Sequence, residues 1–447
     1  MQFDYDLFVI GAGPGGLAAS ERAASYGAKV AIAEHDRVGG TCVIHGCIPE
    51  KLMVYAASFS QNYETAEAYG WGKVQDNFDW SKFQAAKDRD IEHLSEVHTQ
   101  KLQKSGVELI KGHARFLDAH TLEVEGRKIT ADKVLIAVGG KAVKPDIPGI
   151  EYAITSREMF SLDQQPQRLA VIGSNQIPVK FAGIMNSLGS KVIQIVAEDE
   201  VLPTFDQDIR TTVQTDMVEQ GIQILCQTRV EKIEKETAGF KLTLSGNNVP
   251  LIVDSIVWMT DRVPNTEGLA LEKAGVNLTP RGTIQVDEQS RTTQTNVFAI
   301  GDCTDRPHWT PVATATGRAF ADTEFGNHPH IISYDYIPVT VASYPEAATV
   351  GLSEAQARQK LGDSVRCYRK SFESLFYSLT QPEEKTLLKL VVDTHSDRIV
   401  GAHMVGQYAS EIVQMMTPAL KMGVTKASFD QSIGIHPSVA EEFFSLR

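Results

Sequence analysis

The chain has 447 residues, 42% apolar and 22% charged, the composition of a soluble globular protein of about three domains. A net charge of −13 disfavours nucleic acid and anionic membrane surfaces, and no run of about 18 apolar residues marks a membrane span. The first residues, Met1-Gln2-Phe3-Asp4-Tyr5-Asp6, lack the basic and apolar regions of a signal peptide, and five cysteines are too few for a secreted disulfide framework, so a cytoplasmic protein is expected.

In chain order, a buried strand at Leu7-Phe8-Val9-Ile10 meets the turn Gly11-Ala12-Gly13-Pro14-Gly15-Gly16. An alanine-rich helix follows over Leu17–Tyr26, and a second strand, Lys29–Ala33, ends at Glu34. This is the strand–loop–helix–strand–acid unit of a dinucleotide fold: the glycines admit a pyrophosphate to a helix N-terminus, and Glu34 accepts from a ribose. A further buried strand around Lys133–Val138 ends in Gly139-Gly140. A second α/β unit opens at Leu169-Ala170-Val171-Ile172-Gly173, with a helix over Phe181–Leu188 and strands at Val192–Val196 and Ser255–Met259. Asn296–Ile300 runs into Gly301-Asp302, and a helix follows from Pro311. After about residue 335, short strands (Ala347–Val350, Val365–Tyr368, Leu387–Val392) alternate with helices such as Ser410–Met422, the pattern of a separate α+β domain.

Two sites carry chemistry. In Cys42-Val43-Ile44-His45-Gly46-Cys47, residues five apart on a regular helix would hold their Cα atoms roughly 8–9 Å apart, whereas a disulfide needs less than about 7 Å. A Cys42–Cys47 bridge therefore requires a distorted segment, for which Gly46 and Pro49 are suited, and a strained bridge is easily reduced. The pair reads as a redox dithiol. Half a zinc site is the alternative, but no second Cys-x₂₋₄-Cys exists. Cys226, Cys303 and Cys367 read as ordinary thiols. Near the C-terminus, His436 and Glu441 form an acid/base pair if the chain turns at Pro437, and a thiolate leaving group needs such a proton source.

These motifs, with Gly112-His113-Ala114-Arg115-Phe116, Asp146-Ile147-Pro148-Gly149, Arg262-Val263-Pro264-Asn265 and Thr310-Pro311-Val312-Ala313, resemble the glutathione reductase branch of the FAD-dependent pyridine nucleotide–disulfide oxidoreductases from end to end. The resemblance implies an α/β fold of two Rossmann-like, doubly wound nucleotide-binding domains and a C-terminal α+β dimerisation domain. The expected limits are 1–145 with 265–332 for FAD, 146–264 for a nicotinamide nucleotide and 333–447 for the interface. It implies FAD held by Gly11, Gly13, Pro14, Gly15, Gly16, Glu34, Gly40, Thr41, Ala114, Gly139, Asp302, Thr310 and Pro311. It also implies Cys47 against the flavin, Cys42 as the thiol that attacks substrate, and a homodimer in which His436 and Glu441 serve the other subunit's cysteines.

The departures gather at the substrate sites. The second loop reads Gly173-Ser174-Asn175-Gln176-Ile177-Pro178, where the family has glycine at Asn175, alanine or glycine at Pro178 and a gating tyrosine at Gln176. Glu198-Asp199-Glu200 replaces arginines for an NADP phosphate, and Met259-Thr260-Asp261-Arg262 keeps only Arg262 of a second nucleotide motif. The family's lysine after the cysteines and its glutamate partner are here Glu50 and Lys180, an exchange that preserves an ion pair with reversed polarity. The glutathione site is altered at Pro14, Glu21, His98 and Pro382. The sequence therefore predicts an FAD-dependent disulfide oxidoreductase acting on a small or protein disulfide other than glutathione disulfide, with NAD(P)H uncertain and a ferredoxin-like protein as candidate donor. A conventional NAD(P)H-dependent reductase, a second flavin in the altered cleft and a non-enzymatic redox sensor are the alternatives.

Overall fold

The computed structural model describes residues 2–73, 78–380 and 385–447, which divide into two compact units. The first comprises residues 1–50, 81–143 and 261–334. Its core is a parallel sheet in which β1 (Tyr5–Ile10) lies between β2 (Val30–Glu34) and the strand Arg127–Ile136. β3 (Glu108–Lys111) extends the sheet beyond β2, and Val297–Ala299 pairs with the far side of Arg127–Ile136. The apolar run of β1 serves both faces, as parallel strands covered on two sides do. Phe8 and Ile10 pack with Phe116, Val134 and Ile136 on one face, and Leu7 and Val9 pack with Ile32, Leu135 and Phe298 on the other. Helix α1 (Pro14–Ser25) lies beside the helix Thr310–Glu324, and Gly317 is where a side chain would strike the Gly15 carbonyl, 2.4 Å away.

The strand expected to run into Gly139-Gly140 instead ends at Ile136. Gly140–Val143 is a separate strand, paired antiparallel with Asp261–Pro264. Gly139, at φ 66°, makes the change of direction.

The second unit comprises residues 51–80, 144–260 and 335–447. It holds a four-stranded parallel sheet in the order Gln223–Leu225, Lys191–Ile195, Arg168–Ile172, Ser255–Trp258. It also holds a five-stranded antiparallel sheet in the order Val339–Val341, Ala347–Gly351, Arg398–Val405, Lys385–Asp393, Val365–Glu373, with the helix Ala409–Lys421 packed on it. The last two strands are longer than the sequence suggests. Lys389, within one of them, is only 1% exposed. Its Nζ donates to Asp206 Oδ1 (2.7 Å) and Asp208 Oδ2 (2.6 Å) and lies 2.9 Å from Glu354 Oε2. Asp206, equally buried, caps the helix Gln207–Glu219 through the Asp208 N–H and accepts from the Glu354 N–H. One lysine thus ties the dimerisation-type sheet to the nucleotide-type helix.

Candidate active site

The first glycine loop leaves its donors open. Gly11 (φ 102°) turns the chain out of β1, and a Cβ on Gly16 would stand 2.0 Å from the Gly11 carbonyl, so only glycine lets α1 begin there. The N-cap, Gly13, has no capping side chain, and Pro14 has no N–H. The Gly15 and Gly16 amides are therefore the free donors of a positive helix end, the arrangement a pyrophosphate requires. Glu34, at the end of β2, accepts from the Ala12 N–H (2.8 Å) and the Asp36 N–H (2.9 Å). These bonds fix a carboxylate that still has lone pairs for a ribose. A cavity of about 380 Å³ adjoins it, lined also by Arg37, Ser95 and Lys111. Ala114 opens the strand Ala114–Phe116, behind a His113 ring stacked on His35 at 4.1 Å. Asp302 lies in the turn Gly301–Cys303, next to Gly140, whose carbonyl accepts from Arg262 Nη2 at 2.6 Å. These residues fit FAD.

The dithiol is mounted directly on this loop. The Gly39 N–H donates to the Ala12 carbonyl (2.9 Å), and a Cβ on Gly40 would fall 2.6 Å from Gly13 Cα. The short helix α2 (Gly40–Ile44) carries Thr41 and Cys42, and α3 (Cys47–Ala68) starts at Cys47. The break comes at His45-Gly46, where a side chain on Gly46 would meet the Thr41 carbonyl at 2.8 Å. Pro49, the other candidate for the distortion, sits in the first turn of α3, where proline is tolerated. Both cysteines are thiols here. Hydrogen bonding to Cys47 and burial push the Cys42 thiol well above its ordinary range, the nearby Glu50 charge adds to this, and the Thr310 hydroxyl opposes it. Thr310 Oγ1 is also 3.8 Å from Cys47 Sγ, and with Pro311 it opens an uncapped helix.

The second loop is built differently. Gly173 (φ 134°) keeps the turn, because a Cβ there would meet the Met259 carbonyl at 2.8 Å. Asn175, expected to obstruct a pyrophosphate, is the N-cap of the helix Gln176–Ser187: its Oδ1 accepts from the Ile177 N–H at 3.2 Å. That helix starts earlier than the predicted Phe181 and takes Pro178, buried, into its first turn. Of the first three helical residues, Ile177 has its donor occupied and Pro178 has none, which leaves Gln176. Asp199 and Glu200 do not stand alone. Arg210, which sequence reasoning missed, lies 3.3 Å and 3.4 Å from them. Glu198 is exposed, and so is Asp261.

At the C-terminus, His436 Nδ1 is 3.0 Å from Glu441 Oε1, and the imidazole is 83% exposed. Two residues that sequence reasoning did not single out hold this pair. The Ser438 N–H donates to Glu441 Oε1 (3.0 Å), and Ser438 Oγ accepts from the Glu441 N–H (3.2 Å). A Cβ on Gly434 would lie 2.5 Å from Glu441 Cβ. Gly434→Ala is therefore expected to displace Glu441, destabilise the segment by about 1–3 kcal/mol and lower disulfide turnover about ten-fold. Turnover and chemical denaturation of the variant check this.

Glu50 belongs to the first unit and Lys180 to the second. Glu21 pairs with Lys101 at 2.6 Å, and His98 is half-buried on α4 (Trp80–Lys104). Pro382 lies outside the described residues. Burial pushes the thiols of Cys303 and Cys367 up to about 12 and about 11, and raises that of Cys226, which keeps all three unreactive. Among the described residues no cluster of three histidine, cysteine or acidic side chains is placed to hold a metal ion, and no helix is long and apolar enough to cross a membrane.

Residues 5–317 match the family model for pyridine nucleotide-disulphide oxidoreductases, and residues 337–447 match its dimerisation domain. The chain belongs to this family. It is 52% identical over 459 residues to a glutathione reductase of Nostoc sp. (strain PCC 7120), covering 100% of each chain, and 42% identical over 446 residues to one of Burkholderia cepacia, covering 100% of this chain and 99% of that one. The HOCl-induced flavoprotein disulfide reductase RclA of Escherichia coli superposes with a TM-score of 0.89 at 26% identity, covering 99% of each chain. This pyridine nucleotide-disulphide oxidoreductase is thus an FAD-dependent enzyme acting on disulfides, with two nucleotide-binding folds and a dimerisation domain that makes it a homodimer.

Proposed function

We propose that this enzyme passes electrons through FAD to the Cys42–Cys47 pair and on to a disulfide other than glutathione disulfide, from a donor other than NADPH. The self-satisfied helix start at Asn175–Pro178 carries this reading. Two of its first three amides offer nothing to a pyrophosphate, and the acids paired with Arg210 disfavour a 2′-phosphate. A one-electron protein donor such as a ferredoxin fits an enzyme without a nicotinamide site. On the substrate side, arginines exchanged for acids and prolines remove carboxylate recognition, which favours a neutral, basic or protein disulfide.

Bound FAD supplies the two-electron carrier between donor and dithiol. In this reading, Cys42 as thiolate attacks one sulfur of the substrate disulfide, and the departing thiolate takes a proton from His436, oriented by Glu441. Cys47 then attacks Cys42 Sγ, which releases the second thiol and re-forms the Cys42–Cys47 bond. Glu50 and Lys180 retain the family's ion pair with its charges exchanged.

A second reading, an NADH- or NADPH-driven glutathione reductase with an unusual loop, is favoured by Arg262 and by the 52% identity to the Nostoc enzyme. Anaerobic titration decides between them. The expected outcome is that NADPH and NADH leave the flavin oxidised while dithionite reduces it and raises a long-wavelength band from Cys47. Bleaching within seconds by either nucleotide establishes the second reading.

A further inference from the structure

Three reactive side chains meet at the break between α2 and α3. Cys42 is half-buried, Cys47 is exposed, and Glu50 lies in the first turn of α3, its N–H bonded to the Gly46 carbonyl at 2.9 Å. Residues three apart share a helix face, with about 5–6 Å between Cβ atoms, so the Glu50 carboxylate stands over the Cys47 side of the pair. Its charge also acts on Cys42. The reaction asks Cys42 to be a thiol in one step and a thiolate in another, and a half-buried sulfur exchanges protons slowly with bulk water. A cation at position 50 would hold the thiolate but could not shuttle its proton, whereas a carboxyl group does both jobs in turn.

We propose that Glu50 is the proton carrier of Cys42. The inference rests on the disulfide-reductase chemistry above and holds for either electron donor. When two electrons break the Cys42–Cys47 bond, Cys42 Sγ takes a proton from the Glu50 carboxyl, directly or across one water, and Glu50 is recharged from solvent. When a substrate disulfide arrives, the Glu50 carboxylate takes that proton back, the thiolate attacks, a mixed disulfide forms and the first substrate thiol leaves with a proton from His436.

The test uses the flavin-loaded dimer reduced with dithionite, so that no physiological donor is needed, with bis(2-hydroxyethyl) disulfide as probe. Two quantities are read in wild type and Glu50→Gln: the pH midpoint for alkylation of Cys42 by iodoacetamide, and the rate at which the probe reoxidises the dithiol. Removing the negative charge alone should lower the midpoint by about one pH unit and so make more thiolate. The proposal requires the exchange rate to fall nonetheless, by about 100-fold. A rate equal to or above wild type, with the midpoint lowered, overturns it and leaves Glu50 as a source of field only. If Glu50→Gln loses its flavin, Glu50→Ala with added formate decides. Rescue of exchange is expected, and no rescue overturns the proposal. A wild-type enzyme that yields no thiols and ignores the probe would instead remove the disulfide-reductase reading.

Discussion

Replacing His436 by alanine is expected to lower the rate of disulfide reduction about 10²–10⁴-fold while the flavin stays bound. The imidazole touches nothing in the flavin loop. Its Nδ1 is committed to Glu441 at 3.0 Å, which leaves Nε2, on a ring 83% exposed, to face a substrate sulfur. A thiolate leaving without a proton is a poor product, and exchange slows with its basicity. Glu441→Gln keeps a hydrogen-bond partner for Nδ1 but removes the charge that stabilises imidazolium, so a smaller loss is expected. Stopped-flow reoxidation of dithionite-reduced enzyme separates this step from reduction of the flavin. If His436→Ala reoxidises at the wild-type rate, the pair is structural and the proton comes from elsewhere.

Replacing Lys389 by methionine is expected to destabilise the second unit by about 3–5 kcal/mol, because it leaves buried carboxylates without their counter-ion. Burial pushes the Asp206 carboxyl up, but His403, the Glu354 N–H and Lys389 together bring it below its ordinary range. Burial likewise raises Glu354, and Lys389 and Arg358 hold it far below. Both folded-state values therefore lie under the unfolded ones. The stability they add is fully present above about pH 4 and is lost as pH falls through the folded values. The wild type should accordingly lose urea resistance steeply below about pH 4, and Lys389→Met less so, since its acids have already lost their partner. Asp206→Asn added to Lys389→Met keeps the helix cap while removing one orphaned charge, and should recover part of the loss. An unchanged urea midpoint in Lys389→Met would mean that water, not lysine, satisfies the cluster.

The parts of the molecule legible from sequence are those in which neighbours along the chain decide the structure. β1, the loop to Gly16, α1 and β2 ending at Glu34 follow from a buried run, glycine spacing and an alanine-rich helix within about thirty residues. The break at Gly46 follows from helix geometry and the reach of a disulfide. Lys389 was hidden because an isolated lysine in an apolar strand carries no sign of its partners, which lie more than 140 positions away for Asp206 and 35 for Glu354. Arg210 was hidden for the same reason: the acids were visible as a run, and the cation that meets them comes from the next helix. Gly434 and Ser438 carried a weak local signal, a glycine two residues before the histidine and a hydroxyl two after it, but only the close approach of Glu441 gives them meaning. Asn175 was read as an obstruction, yet an asparagine immediately before a helix is first of all a cap.

That cap has a consequence for how the enzyme lives in a cell. A glycine loop that waits for phosphate is a gauge: its domain gains RT ln(1 + [L]/Kd) of stability as its nucleotide rises, so its population reports the nucleotide supply. Asn175 and Pro178 perform the ligand's task permanently, and a helix start that answers its own amides has no such slope. A thermal-shift screen against nicotinamide nucleotides should be flat for this unit, and its abundance should be indifferent to the state of that pool.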